Sequence, residues 1–356
     1  MSIDDLRNKI DSVDSRITEL LNERSVIVEK IGKEKKKHGI AVYDPSREHL
    51  VLQKIKEKNK GPLSDELLAD IYREIMACSR KLETEEVLKV SFLGPVGTHS
   101  YFAVKQQFGS AVEYVPVKGI DDVFKDVDNR RANYGIAPVE NSMEGGIRET
   151  LNMFVEYDVK VCGEIVFPVH HNLMVKNPDK EIKRIYSKPQ AFAQCREWLS
   201  RNFKDAELVD TTSTAEAAQV AKEQVDAAAI AHVEVADLYG LQIVNNNIEN
   251  NPNNVTRFFV LSHDFPSSSG EDKTIAMCYA KNRVGALYDI LKPFKDYKIN
   301  LTNIEPLSTK KKIWDYGFYL DFEGHIDDVN VKKAVDEVAK NCVEIKILGS
   351  FPKSVY

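Results

Sequence analysis

Leu88-Lys89-Val90-Ser91-Phe92-Leu93-Gly94 is where the pattern of the chain changes, and that change decides the fold. Upstream of it, Ile3, Leu6, Ile10, Val13, Ile17, Leu20, Ile27 and Ile31 step by three and four residues. This is a heptad seam, which reads as one long helix over 3–37. His38-Gly39-Ile40 ends that helix. Asp44-Pro45 opens a second with an N-cap aspartate and a proline in the first turn. Gly61-Pro62 breaks it, and Ser64 starts a third that runs to about Glu86. Downstream, short apolar strands at 134–139, 159–169, 227–231 and 258–261 alternate with helical stretches, the pattern of an α/β protein. Pro266-Ser267-Ser268-Ser269-Gly270 has the composition of a linker. The order β-α-β-β-α-β follows it, which fits a small ferredoxin-like sandwich. Three domains are expected: an all-α unit over 1–88, an α/β unit over 89–267 and an α+β unit over 272–356.

A chain of 356 residues exceeds one ordinary core, in keeping with that division. Hydrophobic residues make up 43% and charged residues 29%, the balance of a soluble globular protein. The N-terminus has no basic start followed by an apolar run, and no stretch approaches the roughly 18 apolar residues of a membrane span. The five cysteines (Cys78, Cys162, Cys195, Cys278, Cys342) are scattered and form no CxxC pair. They suggest neither a disulfide framework nor a zinc site, so a reducing, cytoplasmic setting without metal or cofactor is expected. Residues 1–89 balance 18 Lys/Arg against 18 Asp/Glu, so the net charge of −6 lies in the rest of the chain. A mildly acidic protein binds nucleic acid poorly. The run Lys33, Lys35, Lys36, Lys37 reads as a solvated helix end.

Arg24 falls on the seam between Leu20 and Ile27. A guanidinium there either pairs with a carboxylate of its own protein or waits for an anionic ligand. Arg7 flanks the same seam, as does Lys35. At about 1.5 Å rise per residue, Arg7 lies roughly 25 Å from Arg24 and roughly 42 Å from Lys35. No small molecule spans such distances. An antiparallel partner helix would bring its own Arg7 beside Arg24 and Lys35, so functional residues here imply a dimer with shared sites. Ser79 and Glu83 are four apart and face one way on the third helix. Asp44, Arg47 and Glu48 gather at the start of the second. The set suits a compact dianion, and it equally suits the ordinary salt bridges of a coiled coil.

Leu6-Arg7-x-x-Ile10-x-x-Val13-Asp14, Glu23-Arg24, Gly32-Lys33-x-Lys35 and Asp44-x-x-Arg47-Glu48 resemble the all-helical chorismate mutases. The resemblance implies that Arg7 of the partner subunit, Arg24 and Arg47 hold the substrate carboxylates. Lys35 and Glu83 would hydrogen-bond the ether oxygen, Asp44 and Glu48 would hold the hydroxyl region, and Ser79 would assist. Some members have glutamine at position 83. A glutamate donates to that oxygen only when protonated, so mutase activity is expected to fall as pH rises.

Gly94-Pro95-Val96-Gly97-Thr98-His99-Ser100 follows a strand as a glycine-rich anion loop would. With it, in order, come Pro138-Val139-Glu140-Asn141-Ser142, Tyr186-Ser187-Lys188-Pro189-Gln190, Gln194-Cys195 and Asn254-Val255-Thr256-Arg257-Phe258. Together they resemble the prephenate dehydratases, whose fold is two α/β lobes closing on a cleft, similar to periplasmic binding proteins. The resemblance implies Thr256 as the leading catalytic residue, Asn141, Ser187 and Gln194 as groups that bind or orient prephenate, and Thr98 and Ser213 as cleft lining. The family usually has an aromatic residue where His99 stands and a histidine where Lys188 stands. His170-His171 invites a metal reading, but without other nearby ligands the pair reads as core and surface histidines.

Gly285-Ala286-Leu287-Tyr288 and Ile299-Asn300-Leu301-Thr302-Asn303-Ile304-Glu305 resemble an ACT domain, an amino-acid-binding module. The resemblance implies phenylalanine as effector, with Gly285, Ala286, Leu287, Asn300, Leu301, Thr302 and Glu305 as the regulatory set. Phenylalanine-regulated members usually continue Glu-Ser-Arg-Pro; here the run is Glu305-Pro306-Leu307-Ser308, without the arginine. The whole chain thus resembles a bifunctional, phenylalanine-inhibited mutase–dehydratase acting on chorismate and prephenate. Competing readings are an amino-acid sensor with decayed catalytic sites, an α/β solute-binding protein with helical extensions, and a dehydratase that also accepts arogenate.

Overall fold

The computed structural model describes residues 2–308 and 316–354; within the expected C-terminal domain, 309–315 and 355–356 lie outside the described residues. It divides into two compact units, Met1–Leu88 with Phe108–Glu113, and Lys89–Gln107 with Tyr114–Tyr356.

The first unit is built on three helices, α1 (Ile3–His38), α2 (Pro45–Lys58) and α3 (Asp65–Glu83). Local chemistry sets their ends. Ser2 and Asp5 form a capping box, through Asp5 N–H to Ser2 Oγ at 3.1 Å and Ser2 N–H to Asp5 Oδ2 at 2.8 Å. Gly39 closes α1 at φ 63°, the left-handed geometry glycine adopts without strain. Asp44 and Ser64 cap α2 and α3 through the amides of Arg47 and Leu67. Glycine inside a helix costs about 1 kcal/mol against alanine, and Gly32 has a reason to be there. A Cβ on it would lie 2.6 Å from the Glu83 backbone, so α3 crosses α1 at this point. The buried stripe of α1 is therefore Val28 and Gly32, flanked by half-buried Arg24 and Lys35. The heptad seam stays open: Ile3, Leu6, Ile10, Val13, Ile17 and Leu20 are all exposed, Ile3 by 69% and Leu20 by 60%.

In the second unit, one sheet among the described residues runs in the order Leu301–Ser308, Tyr316–Glu323, Asp272–Ala280, Cys342–Pro352, Lys160–Pro168, Val255–Ser262, Tyr134–Asn141, Lys89–Leu93, Glu113–Val117. A second sheet runs Gln242–Asn245, Asn172–Val175, Ala227–Ala231, Arg184–Ser187, Glu207–Asp210. The first four strands of the large sheet, with helices Ala286–Asp296 and Val329–Asn341, have the order β-α-β-β-α-β. The expected boundary near 267–272 does not interrupt the sheet, because Gly349 pairs with Val161. A Cβ on Gly349 would lie 2.2 Å from the Val161 carbonyl oxygen, so only glycine permits this approach. One apolar cluster spans the join, with Phe124, Phe154 and Phe259 on one side and Ile275, Leu348 and Phe351 on the other. Removing a buried ring such as Phe259 typically costs about 3–5 kcal/mol. Among the described residues, no helix is long and apolar enough to cross a membrane.

Candidate active sites

Where α1 and α3 cross, polar groups meet in pairs. Arg24 donates from Nη1 to Ser79 Oγ, and Ser79 in turn donates to the Ile75 carbonyl at 2.7 Å. Lys35 Nζ lies 2.8 Å from Glu83 Oε2 and 2.7 Å from the Val42 carbonyl oxygen. Both side chains of the Lys35–Glu83 pair are mostly covered, at 17% and 10% exposure. Asp44 is held as the cap of α2 by Arg47 N–H at 3.0 Å, and the Arg47 side chain is exposed. Glu48 pairs with Arg80, and burial pushes its carboxyl above the usual range despite that cation. Arg7 does not join the group: it is exposed and pairs with Asp4 at 3.5 Å.

Arg80 was not among the expected residues. It is 4% exposed, and its guanidinium lies 5.5 Å from the Tyr43 ring centroid. A signal was present, because Arg80 follows Met76 by four and Ala77 by three, on the buried face of α3.

In the second unit a cleft of about 340 Å³ is lined by strands of the large sheet and by helices and loops that adjoin both sheets. Thr256 and Asn141 sit opposite each other on paired strands. Asn141 Nδ2 donates to Thr256 Oγ1 at 3.0 Å and to Asn254 Oδ1 at 3.0 Å. Asn254 Nδ2 donates to Gln194 Oε1 at 3.1 Å. His171 Nε2 lies 2.7 Å from the same Gln194 oxygen, which can only accept, so the imidazole donates. The chain His171–Gln194–Asn254–Asn141–Thr256 thus joins four lining residues through Asn254, which stands behind the lining. It leaves the Thr256 hydroxyl hydrogen available to a ligand.

Thr98, His99 and Ser100 begin the helix His99–Phe108, and Thr212, Ser213 and Thr214 begin the helix Thr214–Glu223; all six line the cleft. Ser213 Oγ caps its helix from Glu216 N–H at 3.1 Å. Two helix N-termini facing one cavity favour an anion. Gly97, at φ 92°, sets the turn into the first helix, and a Cβ there would lie 3.2 Å from Ala215 of the second. Lys188 adds a cation to the lining. Burial pushes His99 down to about 3 and His232 to about 4, and it lowers His171, so these rings stay neutral near neutral pH.

Ser187 is placed elsewhere. It is fully buried, donates to the Ile230 carbonyl at 2.9 Å and lies outside the cleft lining. Two members of the hydrogen-bonded chain were not proposed from sequence, His171 on the lining and Asn254 behind it. Asn254 lay in a quoted motif, two positions before Thr256 and just ahead of its strand, and that placement was the available signal. His170 pairs with Glu249 at 2.7 Å. Among the described residues, no group of three or more His, Cys, Asp or Glu is placed to hold a metal ion.

At the C-terminal end, Gly285 (φ 77°) precedes the helix Ala286–Asp296. Gly285, Ala286 and Leu287 line a shallow pocket with Lys281, Arg283 and Tyr288. Asn300, Leu301, Thr302 and Glu305 do not line it. Thr302 donates to Asp321 Oδ1 at 2.9 Å, and Glu305 lies against Gly146, where a Cβ would sit 3.0 Å from its Oε1.

Comparison with known proteins places names beside this geometry. The family described as chorismate mutase type II matches residues 6–84, and prephenate dehydratase matches residues 90–266. A bifunctional chorismate mutase/prephenate dehydratase of Aquifex aeolicus is 40% identical, covering 99% of this chain and 98% of the relative. A prephenate dehydratase of Arthrobacter aurescens, solved in complex with L-Phe, is 31% identical at a TM-score of 0.68, covering 74% of this chain and 90% of that one. A solved quorum-quenching acylase, GqqA, is 26% identical at the same TM-score of 0.68, covering 75% and 98%. Fold alone therefore does not decide the chemistry of the cleft; its residues do.

Proposed function

Because the chain belongs to the bifunctional chorismate mutase/prephenate dehydratase family, we propose that its sites act in sequence. The helical unit rearranges chorismate to prephenate, and the cleft converts prephenate to phenylpyruvate. The carrying observation for the first step is the meeting of Arg24, Ser79, Lys35 and Glu83 where α1 crosses α3, with Arg7 remote on an open apolar seam. A second copy laid antiparallel on that seam covers Ile3 to Leu20 and brings Arg7 of the partner subunit to Arg24. The working form is then a homodimer with shared mutase sites. In it, Arg7 of the partner subunit, Arg24 and Arg47 take the two carboxylates, and Asp44 and Glu48 frame the hydroxyl region. Lys35 and Glu83 exchange their mutual contact for the ether oxygen, whose bond to carbon breaks as the new carbon–carbon bond forms. No covalent catalyst is needed, only a compact conformer and stabilised charge on that oxygen.

In the cleft, the prephenate dianion takes up one proton and yields the phenylpyruvate monoanion, carbon dioxide and water. The helix N-termini at Thr98–Ser100 and Thr212–Thr214, with Lys188, hold the carboxylates. Asn141 donates to Thr256 Oγ1, which turns the Thr256 O–H toward the departing hydroxyl; as the C–O bond breaks, that proton passes to the leaving oxygen and Thr256 regains one from solvent. Neutral histidines keep the surroundings weakly polar, and aromatisation of the ring drives the loss of both groups.

Three domains serve this chemistry: 1–88 as mutase, 89–267 as a two-lobed dehydratase of the periplasmic-binding-protein type and 272–356 as an ACT domain that binds phenylalanine. The β-α-β-β-α-β order and the Gly285–Leu287 pocket support the last assignment, as does the L-Phe complex of the Arthrobacter relative. Five free cysteines suit a cytoplasmic home. Arg24→Ala is expected to abolish turnover of chorismate and spare that of prephenate, while Asn141→Ala does the reverse. Either substitution impairing both reactions equally would contradict two separate sites.

A further inference from the structure

We propose that Arg257 is a positioning residue for the dehydratase reaction, and that the contact Thr302–Asp321–Arg257 carries effector control to Thr256. The control part rests on the regulatory reading above; the positioning part does not.

Neighbours on a strand point to opposite faces. Thr256 faces the cleft, and Arg257 faces the C-terminal strands. There its side chain is 11% exposed, with Nη2 2.7 Å from Glu164 Oε2, Nη1 2.5 Å from Asp321 Oδ2 and Nη1 3.8 Å from Glu140 Oε2. Its guanidinium carbon lies 5.1 Å from the Phe259 ring centroid. Lys273 completes the cluster, 3.4 Å from both Glu164 and Asp321.

Two features turn this cluster toward catalysis. Arg257 adjoins Thr256, and Glu140 adjoins Asn141, so one guanidinium braces the residues next to both members of the 3.0 Å Asn141–Thr256 pair. The strand pairing also shifts register between Arg257 and Phe258. A bulge loosens a ladder and aims side chains, and the bidentate fork of an arginine is suited to hold it.

The other end of the cluster lies on the C-terminal segment. Asp321 is fully buried, and its Oδ1 accepts from Thr302 Oγ1 at 2.9 Å. Thr302 shares the edge strand Leu301–Ser308 with Glu305, which abuts Gly146. The residues flanking that glycine hairpin, Glu144 and Ile147, line the cleft. One edge strand therefore connects to the cleft through intervening residues by two routes. Asp321 shares Arg257 with Glu164, so a movement of the strand changes the balance of charge that sets the guanidinium's position. A misplacement of about 1 Å at a reacting group costs on the order of 100-fold in rate, so small movements suffice.

Asp321→Asn keeps the shape and the Thr302 bond but removes one charge, while Glu164 still holds Arg257. The full-length protein is assayed for prephenate turnover, chorismate turnover, phenylalanine binding by calorimetry and phenylalanine inhibition. The expected result is a fall in dehydratase kcat of about tenfold with KM within about twofold, an unchanged mutase rate, and retained phenylalanine binding with weakened inhibition. Asp321→Glu, which restores the charge, is expected to recover most of the kcat. Should Asp321→Asn fail to fold, Thr302→Val leaves every buried charge paired. It is expected to lower kcat by about threefold at constant KM. A folded variant with wild-type kcat and inhibition overturns the proposal, as does a loss of inhibition matched by an equal loss of binding. If the unsubstituted chain binds no phenylalanine, the regulatory reading fails, and the kcat of Asp321→Asn still decides the positioning role.

Discussion

Replacing Thr256 by valine removes one hydroxyl and little else. The branched shape is kept, so the strand Val255–Ser262 retains its packing and pairing. Asn141 Nδ2 loses Thr256 Oγ1 as an acceptor but keeps Asn254 Oδ1 at 3.0 Å and the Val255 carbonyl oxygen at 3.2 Å. With its donor still satisfied, the stability cost is about 1 kcal/mol, small against the roughly 5–15 kcal/mol by which a domain is stable. The catalytic cost is larger. A positioned proton donor contributes about 10²- to 10⁴-fold, or about 2.7–5.4 kcal/mol of barrier. Thr256→Val is therefore expected to lose that much in dehydratase kcat, read as phenylpyruvate formed from prephenate. Thr256→Ser keeps the hydroxyl and should stay within about tenfold of the parent. Chorismate turnover by the same sample reports that the protein is intact. If Thr256→Val stays within about fivefold of the parent, or serine falls as far as valine, the hydroxyl is not the donor and the reasoning fails.

Arg7→Ala and Arg24→Ala proteins should each lack mutase activity, and mixing them after subunit exchange should restore part of it, because a heterodimer regains one intact site; no recovery in a demonstrated heterodimer contradicts shared sites. Glu83→Gln keeps a group that can hydrogen-bond the ether oxygen, so its mutase kcat should stay within about tenfold of the parent while Glu83→Ala falls much further; an unchanged rate in Glu83→Ala would remove Glu83 from the ether oxygen. His99 and His232 are pushed by burial to about 3 and about 4, so the folded state stays neutral where the unfolded chain, titrating near 6.5, takes up protons. Their stabilising effect is present above pH 6.5 and is lost as pH falls toward 4, by about 1.4 kcal/mol per pH unit for each histidine. Urea midpoints should show that slope and show it reduced by one histidine in His99→Phe; an identical slope in the variant would refute the assignment.

The sequence was informative where information is local. The long first helix could be read because its seam never breaks, and Ser2, Gly39, Asp44 and Ser64 mark helix ends by chemistry confined to a few residues. Thr98, Asn141, Gln194 and Thr256 could be named through motif order and Ser213 through the family resemblance, and they line one cleft. What could not be read depends on partners distant in sequence. Arg80 with Glu48, and Arg257 with Asp321, join residues whose separation carries no periodic signal. The crossing of α3 over α1 at Gly32 likewise joins residues far apart in the chain. The pairing of Gly349 with Val161 joins strands from the two sides of the linker in one sheet, which composition does not reveal. The Ser187 bond to the Ile230 carbonyl, across 43 residues, is another partner that the motif does not carry.

The most direct test of the account is a time course with purified, EDTA-treated protein given chorismate alone, following prephenate and phenylpyruvate together. Prephenate should rise first and then give way to phenylpyruvate, with no added metal or cofactor. Prephenate accumulating without phenylpyruvate would contradict the role given to the Thr256 cleft, and no turnover of chorismate at all would contradict the account as a whole.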